Sequence, residues 1–172
     1  MKLLIASDIH GSAYWCRQLL ELAEREQPDK LILLGDILYH GPRNNLPKEY
    51  CPKQVIPMLT AWADKILCVR GNCEAEVDQM VLTFPCMAQY SQLTAGGVNF
   101  FLTHGHHHNP DTLPPLKEGD VFLFGHTHVK MDEVRNGIRC LNPGSVSIPK
   151  DGSNSCLIWE DGEFRFCILE ER

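Results

Sequence analysis

Five apolar runs of this chain end alike, in a residue able to bind a metal, set beside a glycine. "LLIASDIHG" ends in Asp8 and His10, "LILLGD" in Gly35-Asp36 and "ILCVRGN" in Gly71-Asn72. "FFLTHG" ends in His104-Gly105, and "VFLFGHTH" in Gly125-His126 followed by His128. Nearly continuous apolar runs suit strands buried on both faces. In open α/β sheets ligands collect beyond the carboxyl ends of the strands. The pattern therefore calls for a sheet that delivers seven nitrogen and oxygen donors to one edge. The i, i+2 spacing of Asp8/His10 and of His126/His128 puts each pair on one side of an extended backbone. The adjoining glycines let the main chain come close to an ion.

The segments between these runs set the architecture. "SAYWCRQLLELAEREQ" starts at a Ser12 N-cap, and its apolar positions 15, 19, 20, 22 and 23 line one face of a helix that stops before Pro28. Residues 37–52 are rich in Pro, Gly and Asn and read as loop. Residues 53–64 suit a helix, and a short helix is expected from Glu74. "AGGVNFFLTHG" reads as a turn into a strand, while Asn136-Gly137 and Asp161-Gly162 each sit between extended runs as hairpin turns. An α/β half thus precedes a β-rich half. With no internal repeat and no linker, residues 1–172 are expected to form one domain, of a size that buries roughly 70% of its unfolded surface.

Charge and leader sequence exclude several roles. Twenty-two acidic against 16 basic residues, a net charge of −6 and no basic run argue against sustained nucleic-acid binding. The five-residue apolar run in "MKLLIASDIH" is too short for a signal-peptide core, and no segment is long enough to span a membrane. The eight cysteines are scattered without a CxxC pair, so reduced thiols in the cytoplasm are expected, most of them buried as small hydrophobes. Six of the eight histidines fall between His104 and His128.

Seven donors are too many for one ion with an open position, but they suit two. A carboxylate can bridge through its two oxygens, whereas an imidazole offers one free nitrogen. A His/Asp/Asn set without thiolate favours Mn²⁺, Fe²⁺ or Zn²⁺ over a cysteine-type structural zinc. Two such cations roughly 3.5–4 Å apart are a recurrent device for phosphoester displacement.

The ordered motifs "DIHG", "GDILYHG", "RGNCE", "THGH" and "GHTH" resemble those of the calcineurin-like metallophosphoesterases. "GDILYHGPRN", "VRGNCEAEVDQM", "FLTHGH" and "LNPGSVSIPK" are similar to the small bacterial YfcE-type phosphodiesterases of that superfamily. The likeness runs over almost the whole chain. It implies an α/β (α+β) fold, a four-layer αββα sandwich of two mixed β-sheets face to face with flanking helices. It also implies that Asp8, His10, Asp36 and His128 hold one metal, and that Asp36, Asn72, His104 and His126 hold the other. The expected activity is hydrolysis of a small phosphodiester by a metal-activated hydroxide, with two divalent ions, most readily Mn²⁺, alternatively Fe²⁺, Zn²⁺ or Ni²⁺. A homo-oligomer, dimer or tetramer, is expected.

One position departs from the superfamily. Where a histidine usually follows the Asn and is thought to protonate the leaving group, this chain has Cys73. A thiol with a pKa near ~8.5 is the poorer donor at neutral pH, so Cys73 is assigned a secondary role. His106 is the candidate to stand in as proton donor. His40 and Arg43, in the loop after Asp36, are candidate substrate contacts, because a guanidinium grips phosphate oxygens in a fork. Asn142 and Ser145 are candidate supports of the site. The alternatives are a phosphomonoesterase on the same site, or a non-catalytic scaffold like the retromer subunit of this fold.

Overall fold

The computed structural model describes residues 1–171. Its strands and helices run in the order β1 (Lys2–Ala6), α1 (Ala13–Glu26), β2 (Lys30–Leu33), α2 (Pro52–Thr60), β3 (Ile66–Cys68), α3 (Glu76–Val81), β4 (Tyr90–Ala95), β5 (Val98–Thr103), β6 (Val121–Leu123), β7 (Lys130–Arg135), β8 (Ile138–Pro143), β9 (Ser155–Glu160) and β10 (Glu163–Ile168). They form two five-stranded sheets, β10-β9-β1-β2-β3 and β4-β5-β6-β8-β7. Both are mixed. β1, β2 and β3 are parallel, as are β5, β6 and β8, while hairpins supply the antiparallel strands at the edges.

The period of two sorts the apolar runs between two cores. Leu3, Ile5, Ile32, Leu34, Leu157 and Trp159 of the first sheet face Phe100, Leu102, Val121, Leu123 and Leu141 of the second. The alternate residues Leu4, Ala6, Leu31, Leu33, Cys156 and Ile158 pack instead against Trp15, Cys16, Leu19 and Ala23 of α1 and Val55 and Leu59 of α2. Each fully buried Leu, Ile, Val or Phe among them contributes about 1.5–3 kcal/mol of transfer free energy. α1 begins where expected, with Ser12 Oγ accepting the Trp15 N–H at 3.2 Å.

Four details differ from the sequence pattern. The C-terminal hairpin β9–β10 does not extend the β-rich half but returns to the first sheet, where β9 pairs with β1. The outer face of the second sheet (Phe101, Phe122, Phe124, Ile138, Cys140) is covered by Leu113 and Leu116 of the segment 104–120, which holds no helix, and by Met131. α2 stops at Thr60, and a single 3₁₀ turn, Ala63–Lys65, carries the chain into β3. α3 starts at Glu76 rather than Glu74, because the Glu74 carboxylate is engaged by main-chain amides of neighbouring loops. Both hairpin turns are as expected, with positive φ at both central residues: 52° and 76° at Asn136-Gly137, and 50° and 91° at Asp161-Gly162. Among the described residues no helix is long and apolar enough to cross a membrane.

Candidate metal centre

β1, β2, β3, β5 and β6 run so that the loops following their carboxyl ends meet. At that meeting point lie Asp8, His10, Asp36, Asn72, His104, His126 and His128, all seven donors predicted from sequence. The means of bringing them together differs from the expected one. Asp8, His10, Asp36, His126 and His128 lie beyond their strands with φ of 60°, 48°, 54°, 67° and 60°. They are therefore left-handed rather than extended. Side chains rarely adopt this region at no cost, and its concentration in one cluster marks a site whose surroundings enforce it.

The seven donors fall into two adjoining groups with one carboxylate oxygen between them. Asp8 Oδ1 lies 3.1 Å from His128 Nε2 and 3.4 Å from His10 Nε2, and the two ring nitrogens are 3.3 Å apart. On the other side, His104 Nε2 lies 3.0 Å from Asn72 Oδ1 and 3.2 Å from His126 Nδ1. Asp36 Oδ2 stands between the groups, 3.7 Å from His10 Nε2 and 3.4 Å from His104 Nε2.

The tautomers follow from the outer contacts. Nδ1 of His10, His104 and His128 each faces a main-chain carbonyl at 2.7 Å, of Tyr39, Leu34 and Ile148 respectively. A carbonyl only accepts, so each Nδ1 carries the hydrogen and each Nε2 turns its lone pair inward. Asp8 Oδ1, fully buried, has no hydrogen-bond partner. Lone pairs converging at such distances repel unless protons or a cation lie among them. Burial alone would raise the carboxyls of Asp8 and Asp36, yet His10 and His128 beside the first and His104 beside the second hold both below the ordinary range. Burial likewise opposes charge on His104, but the contact with Asp36 and the charges of Asp8 and Asp36 outweigh it and raise the ring to about 9. This donor set, oxygen and imidazole with one shared carboxylate, fits two divalent cations.

The loops around the cluster are clamped by polar side chains. Glu74, 3% exposed, accepts N–H groups from Asp36 at 2.9 Å, Ile37 at 2.7 Å and Gly71 at 2.5 Å, tying the end of β2 to the end of β3. Burial and the Asp36 charge push its carboxyl up, and the three amides pull it back. Asp36 Oδ1 accepts the Cys73 N–H at 2.9 Å, leaving Oδ2 to the centre. Ser7 Oγ and the His126 N–H both donate to Asp8 Oδ2, at 2.6 and 3.0 Å. Ser145 and Ser147 donate to the Asp8 carbonyl, and Asn142 Nδ2 donates to the Gly125 carbonyl. Gly71 is required sterically, since a Cβ there would lie 2.1 Å from Asp36 Oδ1.

A cavity of about 470 Å³ opens onto the cluster, lined by Asp36, Asn72, His126 and His128 with Arg43, Asn44, Thr127 and Lys150. A second, of about 500 Å³, adjoins it through Arg43, Asn44 and Asn72 and reaches Tyr39, Pro42, Cys73 and Ala75. Arg43 thus lies at the site. The His40 ring sits between Tyr39 and Tyr50, with centroids 4.8 and 5.1 Å away, and neither cavity is lined by it. His106 lies beside the second donor group, its ring 5.3 Å from His104 and 6.2 Å from His126, and it lines neither cavity. Burial first and the neighbouring imidazoles second lower His106 to about 4. Cys73 borders the second cavity, and burial together with the Asp36 charge pushes its thiol up.

Sequence reasoning did not single out Glu74, Ser7 or Lys150. Glu74 and Lys150 do lie in quoted motifs, "RGNCE" and "LNPGSVSIPK". An acidic residue ahead of a helix passes for a helix start, and a lysine in a loop passes for a solvated charge.

Known proteins are similar to this chain in both sequence and fold. The calcineurin-like phosphoesterase superfamily domain matches residues 1–161. The phosphodiesterase YfcE of Escherichia coli K12 is 49% identical over 153 residues, 89% of this chain and 83% of that protein. The solved structure of Yfce, a phosphoesterase from E. coli, aligns with a TM-score of 0.92 and 42% identity, covering 99% of this chain and 100% of that one. A solved archaeal phosphodiesterase shares the fold with a TM-score of 0.73 at 22% identity, covering 98% of this chain and 100% of its own. Clamped carboxylates, inward-facing imidazoles and a matching domain over nearly the full length lead to one assignment: the chain belongs to the calcineurin-like phosphoesterase superfamily, a family of hydrolases.

Proposed function

We propose that this protein hydrolyses phosphodiester bonds with two divalent cations. Asp8, His10, Asp36 and His128 would hold one ion and Asp36, Asn72, His104 and His126 the other, Asp36 standing between the two groups. The observation that carries this reading is the division of the seven donors into two groups about the one oxygen Asp36 Oδ2. When bound, the ions polarise the phosphoryl oxygens and lower the pKa of coordinated water towards ~7.

The chain's own groups do the rest. Asn72 turns Oδ1 towards His104, which leaves its Nδ2 at the cavity wall, where its partner is the weak acceptor Cys73 Sγ at 3.3 Å. That N–H is free to reorient towards a phosphoryl oxygen as charge develops there. Arg43, at the junction of the two cavities, supplies a forked donor for the remaining oxygens. The cleft continues to either side of Asn72, so both alcohols of a diester find room, whereas a monoester fills one arm. Neither nearby side chain is a strong acid at neutral pH: Cys73 is pushed up and His106 is drawn down to about 4. Solvent in the open cleft is left to protonate the departing alkoxide, which favours diesters with good leaving groups. A set of imidazole and carboxylate donors accepts Mn²⁺, Fe²⁺, Zn²⁺ or Ni²⁺; affinity alone would not select Mn²⁺, and we assign it to the site as the ion that availability supplies. We place the enzyme in the cytoplasm with its thiols reduced, acting on small substrates and assembling as a homo-oligomer.

The test is a paired assay of manganese-loaded protein on bis-p-nitrophenyl phosphate and p-nitrophenyl phosphate. The diester is expected to turn over faster and a strong chelator to abolish turnover. Preference for the monoester, or activity that survives the chelator, would contradict the reading.

A further inference from the structure

The two arms of the cleft differ chemically. The first is lined by Asp36, His126 and His128 of the donor cluster and carries the exposed Lys150 and Arg43 at its rim. The second is bordered by Tyr39, Pro42, Cys73, Glu74 and Ala75, the Glu74 carboxylate being engaged by main-chain amides, and has no cation but the shared Arg43. Both volumes, about 470 and 500 Å³, lie in the ordinary range for small-molecule sites.

The rim cations are exposed and have no carboxylate partner, and the main chain that carries them is tied to the site. The Lys150 N–H donates to the His128 carbonyl at 2.9 Å, and His128 Nδ1 donates to the Ile148 carbonyl at 2.7 Å. The lysine's backbone is thereby latched to a donor of the centre from both directions. The turn that carries Arg43 is closed by Asn44, whose Nδ2 donates to the His40 carbonyl at 2.8 Å. Lys2, Arg17, Lys48, Lys130, Arg135, Arg139 and Arg165 all have carboxylate partners. Among the described residues Arg43 and Lys150 have none, as is also true of Arg25, Lys30, Lys53, Lys65, Arg70 and Lys117, but of these only Arg43 and Lys150 line the cleft. On a molecule of net charge −6, two unpaired cations at the lip of one cleft make a local positive field that selects anions.

We propose that the substrate is an asymmetric phosphodiester, one arm of which ends in a further anionic group, carboxylate or phosphate, bound by Lys150 and Arg43, while the other, less polar arm lies against Tyr39 and Pro42. This rests on the phosphodiesterase reading above and adds the chemistry of the substituents.

The experiment uses p-nitrophenyl diesters that share one leaving group and differ only in the second alcohol: ethyl, 2-carboxyethyl, 2-phosphoethyl and 2-(trimethylammonio)ethyl. With the manganese-loaded full chain, kcat/KM for the better of the two anionic arms should exceed that for the ethyl arm by about ten-fold at low ionic strength. Which anion gains more identifies the group. The advantage should shrink towards parity in about 0.5 M salt, as screening requires. Lys150→Glu should lower the ratio of anionic-arm to ammonium-arm kcat/KM at least about ten-fold within the same preparation, and Lys150→Met should lower it less. Dissociation constants of the matching methylphosphonate monoesters, measured by calorimetry, should follow the same order. An ethyl diester that turns over as well as the anionic ones, or a ratio unmoved by Lys150→Glu, overturns this inference alone. Hydrolysis of none of the diesters overturns the phosphodiesterase reading and this inference with it.

Discussion

Replacing Glu74 by glutamine tests whether the centre depends on its clamp. The carboxylate accepts three main-chain N–H groups, two on Oε2 (Asp36 and Gly71) and one on Oε1 (Ile37). An amide oxygen in place of Oε2 keeps two acceptor contacts without their charge, and the new NH₂ then faces the Ile37 N–H donor to donor. An orphaned buried donor costs about 1–3 kcal/mol, and each charge-assisted bond reduced to a neutral one loses about 1 kcal/mol more. The sum is about 3–5 kcal/mol in a residue only 3% exposed. For a chain of 172 residues each kcal/mol lowers Tm by about 2–4 °C, so the metal-free variant should melt roughly 10 °C below the parent. Because Asp36 is among the clamped residues, manganese affinity should fall as well. Differential scanning calorimetry in chelator, followed by manganese titration, measures both, with Glu76→Gln on the exposed start of α3 as the control. A Glu74→Gln protein within about 0.5 kcal/mol of the parent, with unaltered manganese affinity, would refute the clamp.

Three further outcomes are expected. Cys73→Ser should change kcat/KM less than about three-fold, whereas Asp36→Asn should lower it at least about 100-fold, since even groups behind the ligands cost 10–100-fold; comparable losses would contradict the secondary role of Cys73. Without metal, His104 is held protonated up to about 9, so manganese uptake at pH 7 must expel a proton, visible as a buffer-dependent binding enthalpy that vanishes above about pH 10. The same raised value stabilises the metal-free fold fully below the ordinary histidine value of ~6.5, and this share is lost as pH rises through about 9; heats identical in all buffers would count against it. Gly71→Ala brings a methyl to 2.1 Å from Asp36 Oδ1 and should weaken manganese binding at least about ten-fold while the far-ultraviolet circular dichroism keeps its shape; an unchanged affinity would show that Asp36 is not positioned there.

Strands buried on both faces announce themselves as unbroken apolar runs, and for this reason β1, β2, β3, β5 and β6, with the donors at their ends, could be read directly. Asn136-Gly137 and Asp161-Gly162 were legible because φ > 0 at both turn positions demands such residues. Tyr90–Ala95 escaped notice: it is an edge strand with only Ala95 buried, and its sequence YSQLTA has no apolar run. The left-handed backbone of the donors was hidden as well, since glycine is the usual sign of positive φ and here aspartate and histidine adopt it. Which sheet receives β9–β10 is decided by pairing across more than a hundred residues, with Leu3 against Trp159, and no local pattern records that. The two cations of the cleft lip come from loops 107 positions apart, Arg43 and Lys150, and only the fold puts them on one cavity.

The central claim, that Asp36 is shared between two cations, is tested most directly by anomalous scattering from manganese-soaked crystals. Two peaks are expected, one beside Asp8, His10 and His128 and one beside Asn72, His104 and His126, with Asp36 Oδ2 between them. A single peak, or none at saturating manganese, would contradict the account.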